Sequence, residues 1–209
     1  MRNCGDCQLC CRLLPMQVNS ELRHPQAIAV AVAAGMAKPG IPDFDKPAGA
    51  RCPHQRHGKG CAVHGRHPFG CQIWNCRWLV GDDTADLRRP DRAGYVIDIM
   101  PDFITLDPGD GTPPQNVEAV VIWVDARRPE AWRDPALLDY LRRRGAEGKV
   151  ALIRFNERDG LTVFPPEMCS DGQWHEMPRR QAVSVPQHSP EELFSGLAAC
   201  RNVHLAVPK

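Results

Sequence analysis

The sequence predicts an α+β protein in which an irregular, loop-rich cysteine module packs on a small α/β half. Three observations predict it. Eight of the ten cysteines (Cys4, Cys7, Cys10, Cys11, Cys52, Cys61, Cys71 and Cys76) fall in the first 76 residues, where no apolar period runs long enough to build a core. After Leu79, β-branched runs alternate with an amphipathic helical pattern. Apolar residues make up 43% of the chain and charged residues 24%, which excludes a wholly disordered protein. The expected division is residues 1–80 against residues 81–209.

In chain order, Cys4 to Cys11 reads as a ligand-bearing loop. Residues 20–36 read as an inserted helix, with Ser20 able to cap it, Pro25 moving its real start toward His24, and Gly35 stopping it. Lysine, proline and glycine crowd residues 38–49, which must be loop. Residues 51–76 are turn-rich, with Gly58, Gly60, Gly65, Pro68 and Gly70, and need something besides an apolar core to hold them. Residues 94–100 and 117–124 read as strands. Residues 129–144 read as a helix, with Pro129 near its start, Trp132, Leu137, Leu138 and Leu141 on one face, and Gly145 after its end. Residues 149–156 and 160–164 read as a hairpin turning at Glu157-Arg158-Asp159-Gly160. Ser189-Pro190-Glu191-Glu192 starts a C-terminal helix over about residues 190–200.

The formal net charge of +1 conceals an asymmetry. Residues 1–80 carry ten Lys/Arg against four Asp/Glu, and the remainder carries sixteen against twenty-one. The basic half is the cysteine-rich half. No secretory h-region follows Met1, so a cytoplasmic, reducing location is expected, where clustered thiols serve as metal ligands rather than disulfides. No apolar run approaches the ~20 residues a membrane helix requires.

Cys4-Gly-Asp-Cys7-Gln-Leu-Cys10-Cys11 is the strongest signal. Iron–sulfur proteins take three ligands from a C-x2-C-x2-C run and a further cysteine from elsewhere, often beside proline; Cys52-Pro53 supplies such a pair. The side chains of adjacent Cys10 and Cys11 diverge, so the two are expected not to share one metal atom. Zinc is the alternative, since eight cysteines could close two four-thiolate sites. Zinc ribbons pair one C-x2-C knuckle with a second, whereas the later cysteines here are spaced by nine, ten and five positions. This favours an Fe–S cluster, with 4Fe–4S preferred.

Arg12, Arg51, Arg56, Arg66 and Arg77 are expected to stabilise the negative thiolates. His54, His57, His64 and His67 crowd the same stretch. A Rieske centre needs two Cys-x-His pairs and only Cys52-Pro53-His54 exists, so the histidines read as neighbours of the site rather than ligands. Phe69, Trp74 and Trp78 read as shielding for the metal. Cys169 and Cys200 read as bystanders. A thioredoxin-like role for Cys4 and Cys7 lacks a preceding strand. Gly109-Asp110-Gly111-Thr112-Pro113 lacks the lysine and helix of a phosphate loop.

With these residues in view, the chain resembles the CxxCxxCC cysteine-cluster family, a YkgJ-type zinc- or iron-chelating domain. The resemblance spans about residues 4–80. It is carried by Cys4 to Cys11, by Lys46-Pro47-Ala48-Gly49-Ala50-Arg51-Cys52, by Cys61-Ala62-Val63-His64, and by His67-Pro68-Phe69-Gly70-Cys71 through Cys76. It departs at His64, where the family has tyrosine, and at His67, where it has arginine. A related cluster occurs in proteins similar to flagellin lysine methylases, so the resemblance implies Fe–S chemistry, with methyl transfer as an enzymatic alternative.

The resulting expectation is a metal-binding protein of bacterial or phage origin, holding an Fe–S cluster in a redox or structural role. The alternatives are a zinc-stapled interaction module and an Fe–S-dependent enzyme. A protein partner would suit the aromatic residues near Cys71 and Cys76. Nucleic acid is disfavoured, because no stacking-aromatic motif accompanies the basic residues.

Overall fold

The computed structural model describes residues 2, 6–16, 29, 32–35, 38–42, 44–100, 102–106 and 113–180. Cys4, most of the expected 20–36 helix, residues 109–112 and the expected C-terminal helix with Cys200 lie outside them. Where described, the inserted segment is helical at Ala29, Val32 and Ala33. Gly35 follows at φ 70°, its N–H bonded to the Val32 carbonyl.

A six-stranded sheet organises the molecule. Its order is β3 (Tyr95–Ile97), β5 (Gln115–Val124), β6 (Val150–Arg154), β7 (Asp159–Phe164) and β8 (His175–Arg180), with β4 (Asp102–Leu106) also pairing β5. β3 and β4 share the same edge of β5: Tyr95 lies opposite Val124, and Asp102 opposite Ala119. All pairs are antiparallel except β5 with β6. A parallel pair needs a crossover, supplied here by a 3-10 turn (Pro129–Arg133) and a helix (Pro135–Ala146).

Both sheet faces are covered, which explains why the central strands read as continuous apolar runs. On one face Ile97, Ile122, Ala151, Ile153 and Val163 pack with Trp132, Leu137, Tyr140 and Leu141 of the crossover. On the other, Val96, Val121, Trp123, Val150, Leu152 and Phe164 pack with Cys7, Leu9, Leu13 and Cys76 of the cysteine-rich segment. That segment thus forms a layer on a sheet face rather than a free-standing unit.

Several expected boundaries change for physical reasons. The 129–144 helix is interrupted: Pro135 cannot donate an interior helical hydrogen bond, so the α-helix restarts with Pro135 at its first turn and Asp134 as its cap, the carboxylate accepting from Ala136 N–H at 3.0 Å. Gly145 does not end this helix but lies within it, where a Cβ would come 2.6 Å from the Pro165 Cβ. The left-handed residue after the helix is Gly148, at φ 77°. The first expected strand narrows to Tyr95–Ile97, preceded by left-handed Gly94 at φ 90°. Gly160 belongs to β7, and Asn156 closes the hairpin by accepting from Arg158 and Asp159 N–H at 2.7 and 2.8 Å. Strands β4 and β8 were not expected; Pro178 within β8 is tolerated because that strand lies at the sheet edge.

Candidate metal centre

Five stretches of chain build the site. The first helix, α1 (Leu9–Leu13), is a short turn fixed by Leu9 and Leu13, which lie on one face and are buried in the sheet core. It stops at Leu14, which is extended before Pro15. Cys10 and Cys11 ride on this turn, with Cys7 just before it. The backbone then pairs with a later segment: Met16 and Lys46 exchange two hydrogen bonds of 2.8 Å, and Cys52 N–H donates to the Cys11 carbonyl at 3.1 Å.

A two-stranded ribbon, β1 (Gln55–Arg56) and β2 (Gly60–Cys61), returns the chain and carries Cys61 opposite Gln55. Its turn uses Gly58 at φ 66° and Gly60 at φ 80°, conformations that glycine adopts without strain. Cys71 lies on α2 (Phe69–Ile73), which begins directly after Pro68. Cys76 immediately precedes α3 (Arg77–Val80), its carbonyl accepting from Leu79 N–H at 2.9 Å. Gln72 ties this wall to the 38–49 loop, donating to the carbonyls of Lys38 and His67, each at 2.8 Å. Gly40 must be glycine there, because a Cβ would fall 1.9 Å from the His67 carbonyl oxygen.

These stretches enclose a cavity of about 630 Å³ lined by Cys7, Cys10, Cys11, Cys52, Cys61, Cys71 and Cys76. Every described member of the expected ligand set therefore faces one space. The described cysteines are thiols, not disulfides. Of those lining the cavity, Cys7 and Cys76 are buried, Cys71 is exposed, and Cys10, Cys11, Cys52 and Cys61 are half-buried. His54, His64 and His67 also line the cavity, whereas His57 is exposed and does not. The His64 and His67 rings meet edge-on at 4.8 Å.

The charge balance differs from the expected one. None of Arg12, Arg51, Arg56, Arg66 and Arg77 lines the cavity. Arg12 pairs with buried Asp125 at 2.5 Å, Arg77 pairs with Asp83 at 3.0 Å, and Arg51 donates to the Gln55 carbonyl. The cation that faces the thiols is Lys46, only 5% exposed. Its ammonium donates to the carbonyls of Ala50 at 2.8 Å and Pro47 at 3.2 Å. Burial lowers its pKa, while Cys52, Cys11, Cys10 and Cys71 pull toward the charged form. Its sequence signal is a lysine six residues before Cys52, within the Lys46-Pro47-Ala48-Gly49 approach to that cysteine.

The thiols are not alike. Cys11 is lowered from 9.0 to about 7, chiefly by a hydrogen bond from Cys10 and further by Lys46, against the opposing effect of burial. Burial raises Cys61 and Cys76, with backbone N–H groups partly offsetting it. Burial also lowers His67, helped by His64.

The remaining wall is mainly apolar, with Leu14, Phe44, Leu79, Ile99 and Trp74 beside the polar Gln8 and Asn75. Trp74 is held by Asp98, whose carboxylate accepts its indole N–H at 2.9 Å and that of Trp123 at 3.2 Å. Trp78 lies away from the cavity, its indole donating to the Leu87 carbonyl, and Phe69 is buried without lining it.

No family model, curated protein or solved structure matches this chain. The functional reading therefore rests on its own residues. No described helix is long and apolar enough to cross a membrane.

Proposed function

We propose that this cavity is a metal centre that holds an Fe–S cluster, 4Fe–4S in type, through cysteine thiolates. The observation that carries the reading is that seven thiols from five stretches of chain converge on one partly enclosed space. A donor set dominated by sulfur suits Fe–S clusters or zinc and disfavours hard cations. Spacing favours the cluster. A tetrahedral Zn²⁺ with Zn–S of about 2.3 Å keeps its sulfurs roughly 3.8 Å apart, yet among the described residues no three of these thiols lie within 4.8 Å of one another. A cluster distributes its thiolates over separate irons and suits a wider cage.

The chain's own residues have defined parts in this proposal. Cys11, lowered to about 7, ionises near neutral pH and is ready to ligate. Lys46 offsets the negative charge of the ligated centre. The Trp74 wall, fixed by Asp98, limits water on one side. A cluster bound there would supply one-electron transfer.

Visible absorption and EPR of the anaerobically purified, dithionite-reduced chain test it. A broad sulfur-to-iron absorption and a paramagnetic reduced state, both lost in Cys76→Ser, are expected. A chain without a chromophore under these conditions overturns the proposal.

A further inference from the structure

Away from that cavity, the turn between β7 and β8 brings together three side chains of different chemistry. The thiol of Cys169, a carboxylate oxygen of Asp171 and a ring nitrogen of His175 all lie within 4.8 Å of one another. Among the described residues, this is the one set of three cysteine, histidine or acidic groups so close. We propose that Cys169, Asp171 and His175 form a second metal site, for a single divalent ion of the zinc class, independent of the N-terminal cysteines.

The local backbone builds this site rather than leaving three residues to drift together. Pro166–Met168 forms a 3-10 turn that delivers Cys169 into the sheet core, where it is 8% exposed. Gly172 then reverses the chain at φ 64°, its N–H bonded to the Cys169 carbonyl at 3.1 Å. That turn returns a carboxylate oxygen of Asp171 to within 4.8 Å of the thiol. Gln173 N–H donates to Asp171 Oδ1 at 3.0 Å, which leaves Oδ2 directed at His175. His175 is the first residue of β8 and is paired in the ladder with Phe164. Two ligands therefore come from a hydrogen-bonded turn and the third from a strand.

The donor set is one sulfur, one nitrogen and one oxygen, which suits zinc and related first-row ions and not calcium or magnesium. The distances fit after a small adjustment. Bonds of about 2.0 Å to nitrogen and oxygen and about 2.3 Å to sulfur separate tetrahedral ligands by roughly 3.3–3.6 Å. His175 Nε2 and Asp171 Oδ2 stand 2.8 Å apart, so they open by about half an ångström around an ion. Binding displaces the Cys169 thiol proton and any proton shared by Asp171 and His175, with no change of oxidation state. The Asp171 side chain is 43% exposed, so the fourth position opens to solvent and can take water or an external ligand. Three protein ligands with one open position are the arrangement of reactive rather than purely structural zinc.

Cobalt(II) is the probe, added anaerobically to the full chain as purified and to its variants. One equivalent is expected to bind with thiolate-to-cobalt absorption and tetrahedral ligand-field bands. That equivalent disappears in both Cys169→Ser and His175→Gln and persists in Cys52→Ser. His175→Gln, on a half-buried edge-strand side chain, keeps the test valid if Cys169→Ser perturbs the core. Equal cobalt uptake and equal spectra in the parent and His175→Gln proteins overturn the proposal. So does a parent protein that binds no cobalt with sulfur ligation.

Discussion

Replacing Lys46 with methionine separates the two states of the cysteine cavity. The substitution keeps most of the side-chain stem and removes a charge that is only 5% exposed and faces Cys10, Cys11, Cys52 and Cys71. One pair of unit charges at a distance on the order of 6 Å, in an effective dielectric of about 20, interacts by about 3 kcal/mol. Loss of that attraction to a negatively charged thiolate centre corresponds to roughly a hundredfold faster escape of the metal to a chelator. At pH 6 the metal-free protein should respond with the opposite sign. At that pH the Cys11 thiol, lowered to about 7, is mostly protonated, and burial disfavours the Lys46 ammonium. Removing that charge should therefore raise the thermal midpoint of the apoprotein. The assay is iron loss to a chelator in the loaded protein and thermal unfolding in the apoprotein, with Lys46→Arg as the charge-retaining control. Equal chelator-loss rates for Lys46→Met and the parent would refute Lys46 as the counter-charge.

Cys10→Ala removes the hydrogen bond that is the largest cause of the low Cys11 pKa, so thiolate absorbance should titrate with its midpoint moved from about 7 toward 9.0. In the parent, a folded pKa below the unfolded value means that Cys11 favours folding fully above pH 9. This contribution fades as pH falls to about 7, and Cys10→Ala flattens the trend in thermal midpoint. Gly145→Ala places a methyl 2.6 Å from the Pro165 Cβ, and the resulting overpacking should cost about 1–3 kcal/mol in urea unfolding despite the better helix propensity of alanine; a more stable variant would contradict the packing described. Leu137→Ala, at a fully buried position on the opposite sheet face, should cost about 2–5 kcal/mol without changing the iron per folded chain.

Much of this architecture is legible in the residues because local signals and burial agree. Val117 to Val124 read as a strand because both faces are covered, and the Asn156–Gly160 turn carries its own side-chain caps. Pro135 carries the signal for the break in the crossover, but the apolar face continues across it from Trp132 to Leu141 and masks it. β4 escaped notice because its residues alternate between half-buried and exposed without a fully buried position. β8 escaped because Pro178 argues against a strand unless the strand is known to be an edge.

At the site, the spacing of the cysteines predicts that they belong together, and the seven described members of that set line one cavity. The spacing could not show which cation meets them. Arg12 and Arg77 are nearer the cysteines in sequence, but Asp125 and Asp83 engage them, and those contacts depend on the tertiary fold. Cys169 looked isolated for a similar reason. Its neighbours Asp171 and His175 become partners only through the reversal at Gly172 and the start of β8.

The central claim is most directly tested by counting iron, acid-labile sulfide and zinc per chain in anaerobically purified protein. The account predicts ~4 iron and ~4 sulfide per chain, both lost in Cys52→Ser. A colourless protein without sulfide, whose zinc is lost in Cys52→Ser, would contradict it.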